Sequence, residues 1–237
     1  MATLELEDVH RHFGGVKAVD GVDLVLERGE LRALIGPNGC GKSTLFNLIT
    51  GALRPTAGRI RLAGRDITGL PPHRIARAGI GRKFQVASVF DDLSVEDNLA
   101  IAAWTRGRRG QHLPLAALLT RLRLAERRAT LAGELSHGER QWVEIGMMLA
   151  AGPSVLLLDE PTAGMTAAET AATVDLIRDI AATGDVTVLV IEHDVGFLER
   201  LDCAVTVMAK GRILRTGSFA DMRADPEVRA LYFGTAA

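Results

Sequence analysis

The stretch Gly36-Pro37-Asn38-Gly39-Cys40-Gly41-Lys42-Ser43-Thr44 has the residue types that polyphosphate binding needs. Glycines let successive backbone N–H groups turn toward one anion, and a helix starting at the end of such a loop adds its positive dipole end. A lysine placed here reaches the β- and γ-phosphates, and the Ser43 hydroxyl joins the coordination of Mg²⁺. The context agrees. Leu31-Arg32-Ala33-Leu34-Ile35 reads as a buried strand, and Leu45, Leu48, Ile49 and Leu53 follow at helical spacing. Strand, glycine loop and helix together predict a bound nucleoside triphosphate.

Three further groups could complete a site around that ligand. Val155 to Leu158 is an apolar strand ending in Asp159-Glu160. Acids at the end of a buried strand are costly unless paired or metal-bound. In a phosphate-loop protein the first is expected on Mg²⁺ and the second can orient an attacking water. Val186 to Ile191 is another buried strand, followed by Glu192-His193-Asp194, which puts His193 at a strand's C-terminal edge, where open α/β sheets bind ligands. Ser136-His137-Gly138-Glu139 opens a helix carrying Trp142, Ile145 and Leu149. Taken alone, Ser136 with Glu139 makes a capping box that needs no ligand, and the same helix start could also grip a phosphate. Gln85 and Phe13 are weak signals by themselves.

The elements that must position these groups can be read along the chain. Leu4, Leu6 and Val9, then Val22, Leu24 and Leu26, then Ile60 and Leu62 alternate with polar residues and predict a small antiparallel sheet. Gly14-Gly15 marks a turn within it. A helix is expected from Pro72, and residues about 88–150 read as helical with no convincing strand. Ser94 with Glu96-Asp97, and Thr166 with Glu169, are further helix starts. Two short strands flank Lys210-Gly211, and Asp225-Pro226 opens a closing helix that packs Val228, Leu231 and Tyr232.

Composition narrows the class. At 237 residues, one nucleotide-binding unit with an insertion fits better than two domains, and 47% apolar residues with 4% aromatics give an aliphatic core. A net charge of −1 argues against a general nucleic-acid binder. Cys40 and Cys203 lack metal-ligand spacing, which suits a reduced cytosolic compartment. No apolar run approaches the ~20 residues of a membrane span, and the first residues do not resemble a signal peptide.

The order of these motifs resembles that of the ATP-binding cassette ATPases over nearly the whole chain. The likeness rests on the phosphate loop, Gln85, Leu135-Ser136-His137-Gly138-Glu139, then Leu158-Asp159-Glu160-Pro161-Thr162, then His193. It implies an α/β fold: a RecA-like P-loop core with an antiparallel β subdomain (about 1–87 and 151–237) and an inserted α-helical subdomain (about 88–150). It also implies ATP and Mg²⁺ as ligands. Phe13 would stack on adenine, and the loop from Gly36 to Thr44 would hold the phosphates. Ser43, Gln85 and Asp159 would serve the metal, Glu160 would polarise the water, and His193 would hold the γ-phosphate. Ser136, His137, Gly138 and Glu139 would face the nucleotide of a second cassette. Two departures from the family pattern stand out. The usual Leu-Ser-Gly-Gly-Gln signature carries His137 and Glu139 here, the latter adding negative charge near an anion. Thr166 stands where an Asp is usual, so coupling between sites is expected to differ.

Within the family the resemblance is to ATPases of branched-chain amino acid and urea uptake. It is carried by Gly79-Ile80-Gly81-Arg82-Lys83-Phe84-Gln85 and by Leu231-Tyr232-Phe233-Gly234. Ser136-His137-Gly138, Gln141-Trp142, Glu144-Ile145-Gly146-Met147 and Ala163-Gly164-Met165-Thr166 look most like the urea member, which ranks urea ahead of branched-chain amino acids. The partners implied are transmembrane permease subunits, a second cassette ATPase and, indirectly, a periplasmic or extracellular solute-binding protein. The location implied is the cytoplasmic face of the bacterial inner membrane. A soluble cassette ATPase acting on DNA or ribosomes usually has two cassettes or a long coiled-coil insertion, which this chain lacks. A nucleotide switch without turnover is disfavoured by Glu160.

Overall fold

The computed structural model describes residues 2–82, 89–104 and 114–233. Two long strands, β1 (Ala2–Phe13) and β2 (Val16–Glu27), form a hairpin across Gly14-Gly15. Leu4, Leu6 and Val9 are all buried although Val9 breaks the alternation. A register shift between Leu6 and Val9, with Asp8 at φ 45°, inserts one residue and restores the inward phase. β3 (Leu31–Ile35) follows, then the phosphate loop and α1 (Lys42–Ile49). β4 (Ala57–Leu62) pairs with β1, and the short β5 (Arg65–Asp66) with β4, completing an antiparallel sheet of order β2-β1-β4-β5.

α2 (Pro72–Ala78) starts with proline at its first position, where the missing N–H costs nothing, and ends at Gly79 with φ 120°. β6 (Ile80–Arg82) comes next. Residue patterning predicts no strand in this segment, yet it pairs in parallel with Val155 to Leu157. α3 (Val95–Trp104), α4 (Leu115–Arg121) and α5 (His137–Ala150) pack on one another. Gly146 of α5 permits that approach, since a Cβ there would lie 2.3 Å from Leu122 Cδ1. An isolated bridge between Ser94 and Leu131 is an extended pairing in this otherwise helical stretch.

The rest alternates strand and helix: β7 (Val155–Asp159), α6 (Ala167–Ala182), β8 (Thr187–Ile191), α7 (Val195–Leu201), β9 (Ala204–Ala209), β10 (Arg212–Ser218) and α8 (Phe219–Ala224). The predicted closing helix is only one α-turn, Pro226–Val228, continued by a π-turn over Arg229–Phe233. The central sheet runs β10-β9-β3-β8-β7-β6, parallel except for the β9–β10 pair. Its inner strands β3, β7 and β8 are buried on both faces, so each splits its side chains between two cores. Ala33, Ile35, Leu156, Leu158, Val188 and Val190 face the α3–α7 side. Leu34, Val155, Leu157, Leu189 and Ile191 face α1 and the antiparallel sheet. This double burial fixes the C-terminal ends of β3, β7 and β8 side by side, and the candidate residues emerge there.

Candidate active site

The phosphate loop is shaped by its glycines. A Cβ on Gly36 would lie 2.0 Å from Met208 O, and one on Gly41 would lie 2.2 Å from Ala18 O. No larger residue fits either place. Gly41, at φ 110°, is also the N-cap of α1 and supplies no side-chain cap, so the first-turn N–H groups point into the loop without an internal acceptor from the cap. Lys42 is buried and donates from Nζ to Gly36 O at 2.7 Å and Pro37 O at 3.0 Å. Cys40 is buried in the loop wall, a space-filler as its size suggests.

Above the loop lies a cavity of about 180 Å³ lined by Ala18, Asn38, Gly39, Gly41, Lys42, Ser43, Thr44, Glu160, Ile191 and His193. Three motifs far apart in sequence thus share one wall. Glu160 sits just past β7 at φ 47°, its N–H bonded to Ile191 O at 2.9 Å, which holds an unfavourable left-handed conformation in place. Its Oε1 lies 3.2 Å from His193 Nε2. The His193 backbone is gripped from two sides. Buried Glu192 accepts the His193 N–H through Oε2 at 3.0 Å, and through Oε1 it accepts the N–H and hydroxyl of Thr162. Tyr232 donates its hydroxyl to His193 O at 3.1 Å, and burial pushes its phenol up to about 12.

Asp159 ends β7 beside this cavity. Burial pushes its carboxyl up, opposed by Arg82, whose Nη2 lies 3.4 Å from Oδ2. Arg82 is itself largely covered, donates to Asn47 of α1 and lies over the Phe46 ring. β6 therefore supplies the counter-charge for the acid expected on Mg²⁺. Gln85 lies outside the described residues.

Ser136, His137, Gly138 and Glu139 do not line the phosphate cavity. The capping box is real: Ser136 Oγ accepts from Glu139 N–H, and Glu139 Oε2 accepts from Ser136 N–H at 2.9 Å. The extra charge expected of Glu139 is thus taken up locally, with Arg127 Nε at 3.3 Å from its other oxygen. A second carboxylate has moved in instead. Glu169 Oε1 accepts from Ser136 Oγ at 3.0 Å and from Gly138 N–H at 3.1 Å, while Oε2 accepts from Thr166 N–H and Oγ. The hydrogen bonds from Thr166, followed by those from Ser136 and Gly138, lower the Glu169 carboxyl to about 2. Gly138 is required for this contact, since a Cβ there would lie 2.7 Å from Oε1. His137 Nε2 lies 3.0 Å from Ala163 O, a second tie between α5 and the loop after Glu160. Phe13 ends β1, exposed, with the Arg11 guanidinium 4.4 Å above its ring.

This geometry can bind a triphosphate at the loop and bring a carboxylate and an imidazole to its terminal phosphate. The sequence matches the family described as ABC transporter over residues 19–163. The chain belongs to the ABC transporter family. It is 36% identical to the high-affinity branched-chain amino acid transport ATP-binding protein BraF of Pseudomonas aeruginosa, with 98% of each chain covered. It is 38% identical to the ribose import ATP-binding protein RbsA 2 of Rhizobium etli, covering 96% of this chain and 46% of that one. Among solved structures it superposes on MJ1267, an ATP-binding cassette of an ABC transporter in its ADP conformation. There the TM-score is 0.86 with 32% identity, covering 99% of both chains. The fold is the RecA-like P-loop ATPase core with a helical subdomain, and the chain is an ATP-hydrolysing ABC transporter subunit. Among the described residues no helix is long and apolar enough to cross a membrane.

Sequence reasoning missed the site roles of Arg82, Glu192, Glu169 and Tyr232. Glu169 was legible as a helix cap, and Glu192 stood beside His193. Neither signal pointed to the partner each one finds across the fold.

Proposed function

We propose that this subunit energises solute import by hydrolysing ATP at composite sites, each shared between two cassettes. The observation that carries it is the separation of donors within one chain. The phosphate cavity gathers Lys42, Ser43, Glu160 and His193, while the Ser136 hydroxyl and Gly138 N–H lie outside its lining. A second cassette arranged head to tail would supply the missing wall. In this reading Phe13 stacks on the base and the loop N–H groups and Lys42 hold the phosphates. Ser43, Asp159 and Gln85 hold Mg²⁺, which would neutralise phosphate charge. Glu160 accepts a proton from the attacking water, and His193, 3.2 Å away, orients that carboxylate and the terminal phosphate. The division into a catalytic core and a helical insertion over about 88–150 belongs to the same proposal, as does a place on the cytoplasmic face of the inner membrane. In this reading a permease helix docks over the cavity of about 300 Å³ whose lining includes Ile75, Arg82, Ala102, Met147 and Met148.

For the solute, BraF, matched over 98% of this chain, favours a branched-chain amino acid, whereas the ribose protein RbsA 2 is matched over only 46% of its own length. Urea is the second reading, favoured by Ala163-Gly164-Met165-Thr166 and Ser136-His137-Gly138, the motifs that resemble the urea member; the relatives above do not name it. ATP hydrolysis by the complex reconstituted with its permease, paired ATPase and binding protein tests both. Stimulation by leucine-loaded binding protein is expected; stimulation by urea instead would reverse the ranking, and none by either would sink both solutes.

A further inference from the structure

The β1–β2 hairpin carries a concentration of ligating groups that ATP chemistry does not use. His10 and His12 lie two apart on β1, on one face, and Asp20 of β2 is directly opposite His10. Asp20 Oδ1 is 3.4 Å from His10 Nδ1 and 3.5 Å from His12 Nε2, and the three atoms lie within 4.8 Å of one another. On the far side of the His10 ring, Nε2 lies 2.8 Å from Asp8 Oδ1. Nε2 faces Asp8, so the opposite ring nitrogen, Nδ1, is the one turned toward Asp20. His12 Nε2 is buried, makes no hydrogen bond and faces the same oxygen.

The remaining surroundings resemble an outer ligand shell. Asp20 Oδ2 accepts from Arg212 Nε at 3.0 Å and Nη2 at 2.6 Å, which fixes the carboxylate plane and turns Oδ1 toward the two histidines and Lys17. Asp8 orients His10 as a carboxylate orients a metal-bound imidazole. Four-coordinate zinc with ligands at ~2.0–2.1 Å separates neighbouring ligand atoms by about 3.3–3.4 Å, close to both distances seen here.

We propose that His10 Nδ1, His12 Nε2 and Asp20 Oδ1 form a Zn²⁺ site with one coordination position open to water or an external ligand. Two imidazoles and a carboxylate select a borderline cation over Mg²⁺, which prefers an all-oxygen octahedron, so the Mg²⁺ accompanying ATP does not compete. Lys17 Nζ, 3.5 Å from Asp20 Oδ1, is the internal rival, and its exposed side chain can swing away. The metal would tie β1 to β2 immediately before Phe13 and two residues after Ala18, on the hairpin that borders the nucleotide cavity.

The test uses the full chain, stripped of metal with a chelator and titrated calorimetrically with Zn²⁺ alone, without nucleotide. One ion per chain is expected, with a rise in Tm and a tetrahedral spectrum when Co²⁺ replaces Zn²⁺. His12→Gln and His10→Ala should each weaken binding by at least about a hundredfold, the upper end of what even an orienting partner's loss does. Asp20→Asn also breaks the Arg212 pair, so the histidine variants decide. The exposed His73→Ala should bind as the parent does. Binding that survives both histidine changes, or no binding at micromolar Zn²⁺, overturns the site. Either result leaves the ATPase reading untouched, because no step of the test involves ATP.

Discussion

Arg82→Ala should expose how much the Mg²⁺-side carboxylate depends on β6. The side chains of Arg82 and Asp159 are 9% and 7% exposed, so this is a buried pair rather than a surface one. Breaking a fully buried pair costs about 3–5 kcal/mol, because the surviving charge loses its partner. Here Lys42 remains as a nearby positive charge, so roughly 2–4 kcal/mol is expected. For a domain of this size, that lowers Tm by about 5–15 °C.

The control is the same change in an Asp159→Asn background. With no carboxylate left to orphan, Arg82→Ala should lose its contacts with Asn47, Thr50 and Phe46, about 1 kcal/mol. The pH dependence has a definite sign. Burial already raises the Asp159 carboxyl in the folded chain, and losing Arg82 raises it further. An acid whose folded pKa lies above its unfolded value binds more protons when folded, so stability falls as pH rises through that interval. The Arg82→Ala penalty should therefore be largest near neutral pH and shrink on acidification toward the unfolded value near 4. Guanidinium chloride unfolding of the four proteins at pH 5 and pH 8 measures both effects. Equal penalties in both backgrounds and at both pH values would refute the assignment of Arg82 as the counter-ion of Asp159.

Glu160→Gln should keep ATP binding and lose about 10²–10⁴-fold in hydrolysis by the assembled complex, since the amide cannot accept a proton; equal turnover would remove Glu160 from the chemistry. Glu169→Gln should need less ATP for association of two cassettes, because a carboxylate no longer holds the Ser136 and Gly138 donors, as sedimentation in a Glu160→Gln background would show. The same change should flatten the acid limb of stability. A Glu whose folded pKa is about 2 stabilises above its unfolded value near 4.5 and loses that contribution as pH falls toward 2, so melts across that window should diverge between parent and variant.

The parts of the site legible in sequence were those written contiguously. Gly36 to Thr44 forms one loop, and Asp159-Glu160 follows its strand without a break, so residue type and spacing were enough. β6 was not legible. It is three residues long, contains a glycine and begins beside another, and becomes a strand only because β7 offers it a parallel edge. Arg82 meets Asp159 across 77 positions and Tyr232 meets His193 across 39, and neither contact leaves a local pattern. Such pairings are decided by sheet order and packing, which periodicity does not encode.

The start of α5 shows how a correct local reading can still omit the interaction that matters. Ser136 and Glu139 do form the capping box that their spacing predicts, and so do Thr166 and Glu169 at the start of α6. Tertiary packing then brings the two helix starts together, and one carboxylate serves both. Glu169 caps its own helix through Oε2 and takes Ser136 and Gly138 through Oε1. Thr166, in the place where the family usually has an Asp, is thereby joined through a single side chain to the donors proposed to reach the opposing nucleotide. The loop that follows Glu160 and the helix that opens at Ser136 are then mechanically one piece. Under the composite-site proposal, an anion arriving at Ser136 would compete with Glu169 for the Ser136 and Gly138 donors and so would reach the Thr166 cap through one side chain.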